Sequence, residues 1–178
     1  MSLLIRMTRP HLRELPDSII PEGYQLANAT EVEDLPQVWM DVVNESFGDE
    51  NWTLESIHRD FISRPQYDPE GVFFAMHEGQ AVATAFAWLD EPGETASGRV
   101  HFVGTLAEHR GKGLARMVVT AILHYFAARG FQSSFLETHP HRLPAIRVYL
   151  RLGFEPTPRK EEEAEAWRQV MTELGEGV

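Results

Sequence analysis

Apolar and polar positions along the chain alternate between two periods, and the changes of period mark out strands and helices. Tyr24-Gln25-Leu26-Ala27 reads as a first short strand. Thr30 then offers an N-cap, Glu31, Glu33 and Asp34 load a first turn, and Leu35, Val38, Trp39, Val42, Val43 and Phe47 recur at helical spacing up to Gly48. Thr53 opens a shorter helix that runs through Phe61-Ile62 and stops before Pro65. Residues 71–76 and 82–88 flank His77-Glu78-Gly79-Gln80, the pattern of a β-hairpin with a glycine turn. After a polar loop, residues 99–106 form a third strand of this group and run into His109-Arg110-Gly111-Lys112-Gly113.

The stretch 114–128 is apolar nearly all round, which predicts a helix buried against a sheet and closed by Gly130. A strand over 133–138 and a helix over 144–152 follow, with Pro144 in its first turn and Gly153-Phe154 at its exit. Beyond Pro156 and Pro158, residues 161–174 carry Ala164, Trp167, Val170, Met171 and Leu174 on one stripe of a last helix. Residues 8–22 hold three prolines and read as extended. The order β-α-α-β-β-β-α-β-α-α predicts one mixed α/β domain over residues 1–178, with a lead-in over 1–22 and a helical tail over 159–178.

Length and charge narrow the function classes. The 178 residues suit one core and carry no cysteine, which removes disulfides, thiol nucleophiles and cysteine-based metal sites. A net charge of −11 argues against a general binder of nucleic acid or anionic membrane. That total is unevenly spread: residues 1–100 hold 6 basic and 18 acidic side chains, whereas residues 101–160 hold 9 and 3. The basic block would suit an anionic ligand. No apolar run is long enough for a signal peptide or a membrane span, so a soluble, cytoplasmic protein is expected.

The most informative segment is the turn between the strand at 99–106 and the helix at 114–128. Two glycines let the backbone approach a ligand, and the free amides of the first helical turn point to one spot with the helix dipole behind them. Arg110, Lys112 and Arg116 add positive charge, so the turn is sized for a pyrophosphate. A Walker loop is absent, and the dinucleotide fingerprint fails because Arg116 stands where its last glycine belongs. On spacing alone, a turn that binds nothing stays open.

Arg110-x-x-Gly113-x-Ala115 resembles the acyl-CoA signature of the GNAT N-acetyltransferase superfamily. About 30 residues on, Ala145-Ile146-Arg147-Val148-Tyr149-Leu150-Arg151-Leu152-Gly153-Phe154 is similar to that family's second motif. The likeness covers residues 100–155 closely, with 101–155 as the acyl-CoA core. It implies a central twisted mixed sheet, flanked by helices and splayed open between the strand ending near Leu106 and the strand at 133–138. Acetyl-CoA would lie in the gap as co-substrate, with no metal. The strand edge at Val103, Gly104, Thr105 and Leu106 would pair with the pantetheine arm, and Arg110, Gly111, Lys112, Gly113, Leu114 and Ala115 would hold the pyrophosphate. An amine acceptor, small molecule or peptide, would attack the thioester directly, and a homodimer would be unremarkable for the family.

By the same resemblance Tyr149 is the general acid for the leaving thiolate, although a helix tyrosine also packs well among Ile146, Val148 and Leu152. The base is open. The strand at 99–106 lacks the glutamate many family members carry, leaving His101 on it, Glu137 on the next strand, and His139 or His141 in the loop after that. His139 and His141 lack a third partner that would make them a metal site. Two departures stand out. Arg142 occupies the place of a common cofactor-binding asparagine, where it would meet a CoA phosphate or a substrate carboxylate. The helical reading of Glu161–Leu174 also displaces the family's last strand pair. Two non-catalytic alternatives share the fold: an acyl-CoA sensor and a protein-interaction module.

Overall fold

The computed structural model of the chain describes residues 3–48 and 51–175. Its strands are β1 (Ile5–Arg9), β2 (Gln25–Asn28), β3 (Val72–His77), β4 (Gln80–Trp88), β5 (Ser97–Thr105), β6 (Ser133–Thr138) and β7 (Glu155–Pro156). The helices are α1 (Leu35–Phe47), α2 (Leu54–Ile57), α3 (Leu114–Ala128), α4 (Leu143–Arg151) and α5 (Glu161–Leu174). The strands form one mixed sheet in the order β2-β3-β4-β5-β6-β1-β7, in which only β5 and β6 run parallel.

The alternation in β4 shows why helices cover both faces. Ala83, Ala85 and Ala87 point to one side, where their small size admits Leu114, Met117, Val118 and Ile122 of α3. Phe86 and Trp88 point to the other and meet Trp39 of α1 and Phe61 beyond α2. The β3–β4 hairpin closes on Glu78 and Gly79, both at positive φ (49° and 81°), the turn whose twist matches paired strands.

Two details differ from expectation. The lead-in is in part a sheet strand: β1 pairs antiparallel with β6, and its Ile5 and Met7 are fully buried. Residues 5–9 alternate inward and outward over too short a run to stand out in the sequence. Thr30 is not the cap of α1; Asn28 caps a separate 3₁₀ turn at Ala29–Glu31, and α1 starts later with Pro36 in its first turn. At the C-terminus α5 forms as expected, with Trp167, Val170 and Leu174 buried. The place beside β6 is filled by β1, itself flanked by the two-residue β7.

Residues 10–24 lie outside helix and strand and cross the outer side of α3 as a strap. The Leu12 amide donates to the Gln132 carbonyl at 3.1 Å. His124 Nε2 lies 3.0 Å from the Pro16 carbonyl, and the Tyr24 hydroxyl lies 2.9 Å from His109 Nδ1. His124 is therefore partnered yet exposed. Among the described residues no helix is long and apolar enough to cross a membrane.

Because Ile5 is fully buried against the α3–α4 side of the sheet, Ile5→Ala is expected to cost about 3 kcal/mol in denaturant unfolding. A loss under about 0.5 kcal/mol, the range of surface substitutions, would remove β1 from the core.

Candidate active site

β5 and β6 begin as neighbours and then part. They pair at Ser97↔Ser133, Gly98↔Ser134 and Arg99↔Phe135 and no further, although β5 continues to Thr105 and β6 to Thr138. A bulge marks the departure. Thr84 stands opposite Gly104 and Phe86 opposite His101, so Phe102 and Val103 together face Ala85. Phe102 adopts φ 48°, a left-handed conformation that costs a bulky residue of order 1–3 kcal/mol. Bulges bend a strand and raise its twist, and this one turns β5 away from β6. The wedge between them leaves the β5 edge over residues 100–105 without a strand partner among the described residues.

The bulge also settles where side chains point. Without it, Val100 and Phe102 would share a face. With it, His101 and Phe102 lie on the same side as α1 and α2, their ring centroids 4.0 Å apart, while Val100 joins the α3 core. Gly104 lies under the end of α1, where a Cβ would stand 2.9 Å from the Ser46 Cβ. Strict alternation carries no signal for this slip, and neither Phe102 nor Ser46 was legible as part of the site.

Beyond β5 a 3₁₀ turn (Ala107–His109) leads to the glycine turn. Gly111 and Gly113 have φ 76° and 83°, values only glycine adopts freely. Gly113 starts α3 with no side-chain cap, so the first amides of a 15-residue helix are left for a ligand. An added Cβ on Gly111 would meet nothing within 4 Å, and Lys112 and Arg116 are exposed. Arg110 donates from Nε to the Thr105 carbonyl at 3.2 Å and from Nη2 to the Ser46 carbonyl at 3.0 Å. Arg142, just before α4, rests over the Phe47 ring at 4.8 Å. These two guanidiniums come from the segments that follow β5 and β6, and each touches the last turn of α1. Leu114 is buried and Ala115 half-buried, so the backbone of this stretch is what faces outward; the Leu106 amide is taken by the Val82 carbonyl at 2.9 Å.

Tyr149 sits on α4 in the core that α3 and α4 share, on the opposite side of the sheet from His101. Burial pushes its phenol above the ordinary tyrosine range, with the Arg142 charge working the other way, so the phenol keeps its proton. On the far side, burial pushes the His101 imidazole down to about 3, with the nearby Arg99 charge adding to the effect; the ring is neutral at physiological pH.

The other candidate bases are otherwise engaged. Glu137 accepts from Arg99 at 3.0 Å and from Arg159 at 2.6 Å, one guanidinium on each carboxylate oxygen. Arg99 also reaches Asp90 at 3.1 Å, and Arg159 reaches Glu163 at 3.1 Å. This chain of alternating charges bridges β5 and β6 where their backbones stop pairing. His139 Nδ1 lies 3.1 Å from the Leu3 carbonyl, and its ring stacks on His141 with centroids 5.4 Å apart. Among the described residues no group of three or more His, Asp or Glu side chains could hold a metal ion.

The chain is similar to known proteins in sequence and in fold. It is 32% identical to the mycothiol acetyltransferase of Thermobispora bispora over 85% of its own length and 53% of that protein's. It is 30% identical to the mycothiol acetyltransferase of Streptomyces bingchenggensis over 82% and 47%. The chain thus spans about half the length of the curated relatives it matches. Its fold superposes on the GCN5-related N-acetyltransferase of Sphaerobacter thermophilus with a TM-score of 0.70 at 24% identity, covering 87% of this chain and 48% of that one. The sequence profile of the acetyltransferase (GNAT) family matches residues 32–154, which contain the parted strands, the glycine turn and the Tyr149 helix. The chain belongs to the GNAT acetyltransferase family.

Proposed function

We propose that the protein transfers an acetyl group from acetyl-CoA to an amine, and that the transfer takes place in the wedge between β5 and β6. The observation that supports this reading is the opening between β5 and β6, with the buried phenol of Tyr149 on one side of the sheet and the neutral His101 ring on the other. The unpaired edge of β5 at Val103 and Thr105 suits the amide groups of a pantetheine arm, which would add to it as a short strand. The free amides over 111–115, with Arg110, Lys112 and Arg142 around them, suit the pyrophosphate. The residues present therefore fit acetyl-CoA without a metal.

The two faces of the sheet divide the chemistry. The acceptor enters from the α1–α2 side as the free amine and attacks the thioester carbon. As the C–N bond forms, the attacking nitrogen becomes acidic, and the neutral His101 ring accepts its proton. The C–S bond then breaks toward α4, where Tyr149 gives its proton to the departing thiolate. Glu137 is a poorer base, because accepting a proton would break both of its ion pairs. It holds Arg99 in place instead. His139, in the loop beyond β6, serves that loop.

The relatives' name makes a mycothiol-related amine the acceptor to test first, and it favours transfer over a non-catalytic acyl-CoA sensor. The experiment is a CoA-release assay with acetyl-CoA and a panel of amines including that one. Release above the hydrolysis background with at least one amine is expected. No stimulation by any amine, with acetyl-CoA binding intact, would support the sensor.

In the same assay Tyr149→Phe is expected to lower kcat about 10²-fold with the acetyl-CoA affinity kept within roughly twofold. An unchanged kcat would remove Tyr149 from the chemistry. His101 also predicts a pH dependence of folding. The folded chain keeps the ring neutral down to about pH 3, whereas an unfolded histidine titrates near 6.5. Between those values the unfolded chain holds the extra proton, so stability is lost as pH falls from about 6.5 toward 3. His101→Asn should flatten that slope by about one proton's worth in denaturant titrations between pH 4 and 7; equal slopes would contradict the burial of the ring.

A further inference from the structure

The strap over residues 10–24 ends its passage across α3 at the glycine turn. A Cβ on Gly113 would lie 3.7 Å from the Pro21 Cγ, so the strap's last proline packs beside the first residue of the anion cradle. Tyr24 fastens the strap's end to His109, one residue before Arg110. Four large hydrophobic residues are exposed among the described residues: Leu4, Ile19, Ile20 and Leu54. Only Ile19 and Ile20 are neighbours, at 54% and 50% exposure, and they directly precede Pro21. With successive Cα atoms about 3.8 Å apart, both side chains lie within one nucleoside's length of the turn.

Two half-exposed isoleucines are far too small an area for a stable protein interface, which buries on the order of 1,000 Å² or more. They are the right size to cover one face of a flat heterocycle. Polar and charged groups at the turn serve phosphates, and Ile19 and Ile20 supply an apolar surface next to them that packing within the chain leaves uncovered. From this continuity, and resting on the acetyl-CoA reading above, we infer that the strap is part of the cofactor site. Ile19 and Ile20 cover the adenine of the coenzyme, on the far side of Pro21 from the pyrophosphate cradle. The strap's attachments at Leu12, Pro16 and Tyr24 hold the pair there before the ligand arrives, so little ordering entropy opposes the contact.

The test compares two thioesters by calorimetry: acetyl-CoA, and S-acetyl-4′-phosphopantetheine, which keeps the arm and one phosphate but lacks adenosine. The variant is Ile19→Ser with Ile20→Ser; because both side chains are exposed, its thermal midpoint should match that of the parent protein. The double variant is expected to bind acetyl-CoA roughly tenfold more weakly and the phosphopantetheine thioester unchanged. Unchanged binding of acetyl-CoA would overturn the inference. So would an equal loss on both ligands, which would mean that the strap acts only by bracing the turn. If the parent protein binds neither thioester, the acetyl-CoA reading itself fails, an outcome distinct from the other two.

Discussion

The departure of β5 from β6 after only three pairs is the constraint on which the rest of the structure depends. A parallel pair buried between helices would ordinarily continue as far as both strands run, because every unpaired backbone group inside a protein costs free energy. Here the bulge at Phe102 and Val103 breaks the register, and the aromatic cluster holds the break in place. Phe102 packs within 5.0 to 5.5 Å of Trp39, Phe61 and Trp52, measured between ring centroids. Burial of those rings offsets the strain of a left-handed phenylalanine. The unpaired edge that results is a set of hydrogen-bonding groups with a ligand as their natural partner.

Three further features follow from that opening. The glycine turn lies directly beyond the freed end of β5, so the proposed anion cradle and the unpaired edge adjoin. In the proposed reaction the gap would let Tyr149 on α4 and His101 on β5 act on one group from opposite faces of the sheet. The pair Arg99–Glu137 closes the narrow end. Its side chains, 19% and 13% exposed, continue the β5–β6 contact by two residues after the backbones have parted. Asp90, Arg159 and Glu163 extend it to the end of β4 and the first turn of α5. The C-terminal helix is thereby joined to the apex of the site as well as to α4.

The sequence carries most of this fold because its local signals agree. The alanine–aromatic alternation of β4, the apolar helix after the glycine turn and the position of Gly130 each specify one element. The turn and the Tyr149 helix were legible because glycine, arginine and tyrosine stand at fixed spacings within short segments. What was not legible depends on distant partners. Ile5–Arg9 becomes a strand only because β6 offers it an edge, and its five residues are too few to announce themselves. The bulge depends on Trp39, Trp52 and Phe61 receiving Phe102. The engagement of Glu137 depends on Arg159, 22 positions away in the chain. Charge showed the same limit: the basic block was visible by counting, but which arginines face the gap and which neutralise carboxylates was decided by the fold.

The central claim is that the edge of β5 and the turn beyond it form one binding surface for the acyl thioester. Amide hydrogen exchange with and without saturating acetyl-CoA tests this most directly. The account predicts slowed exchange at residues 103 and 105 together with 111–115, and little change in β3 and β4 on the buried side. Protection confined to the turn, with the β5 edge exchanging as freely as before while acetyl-CoA is bound, would contradict it.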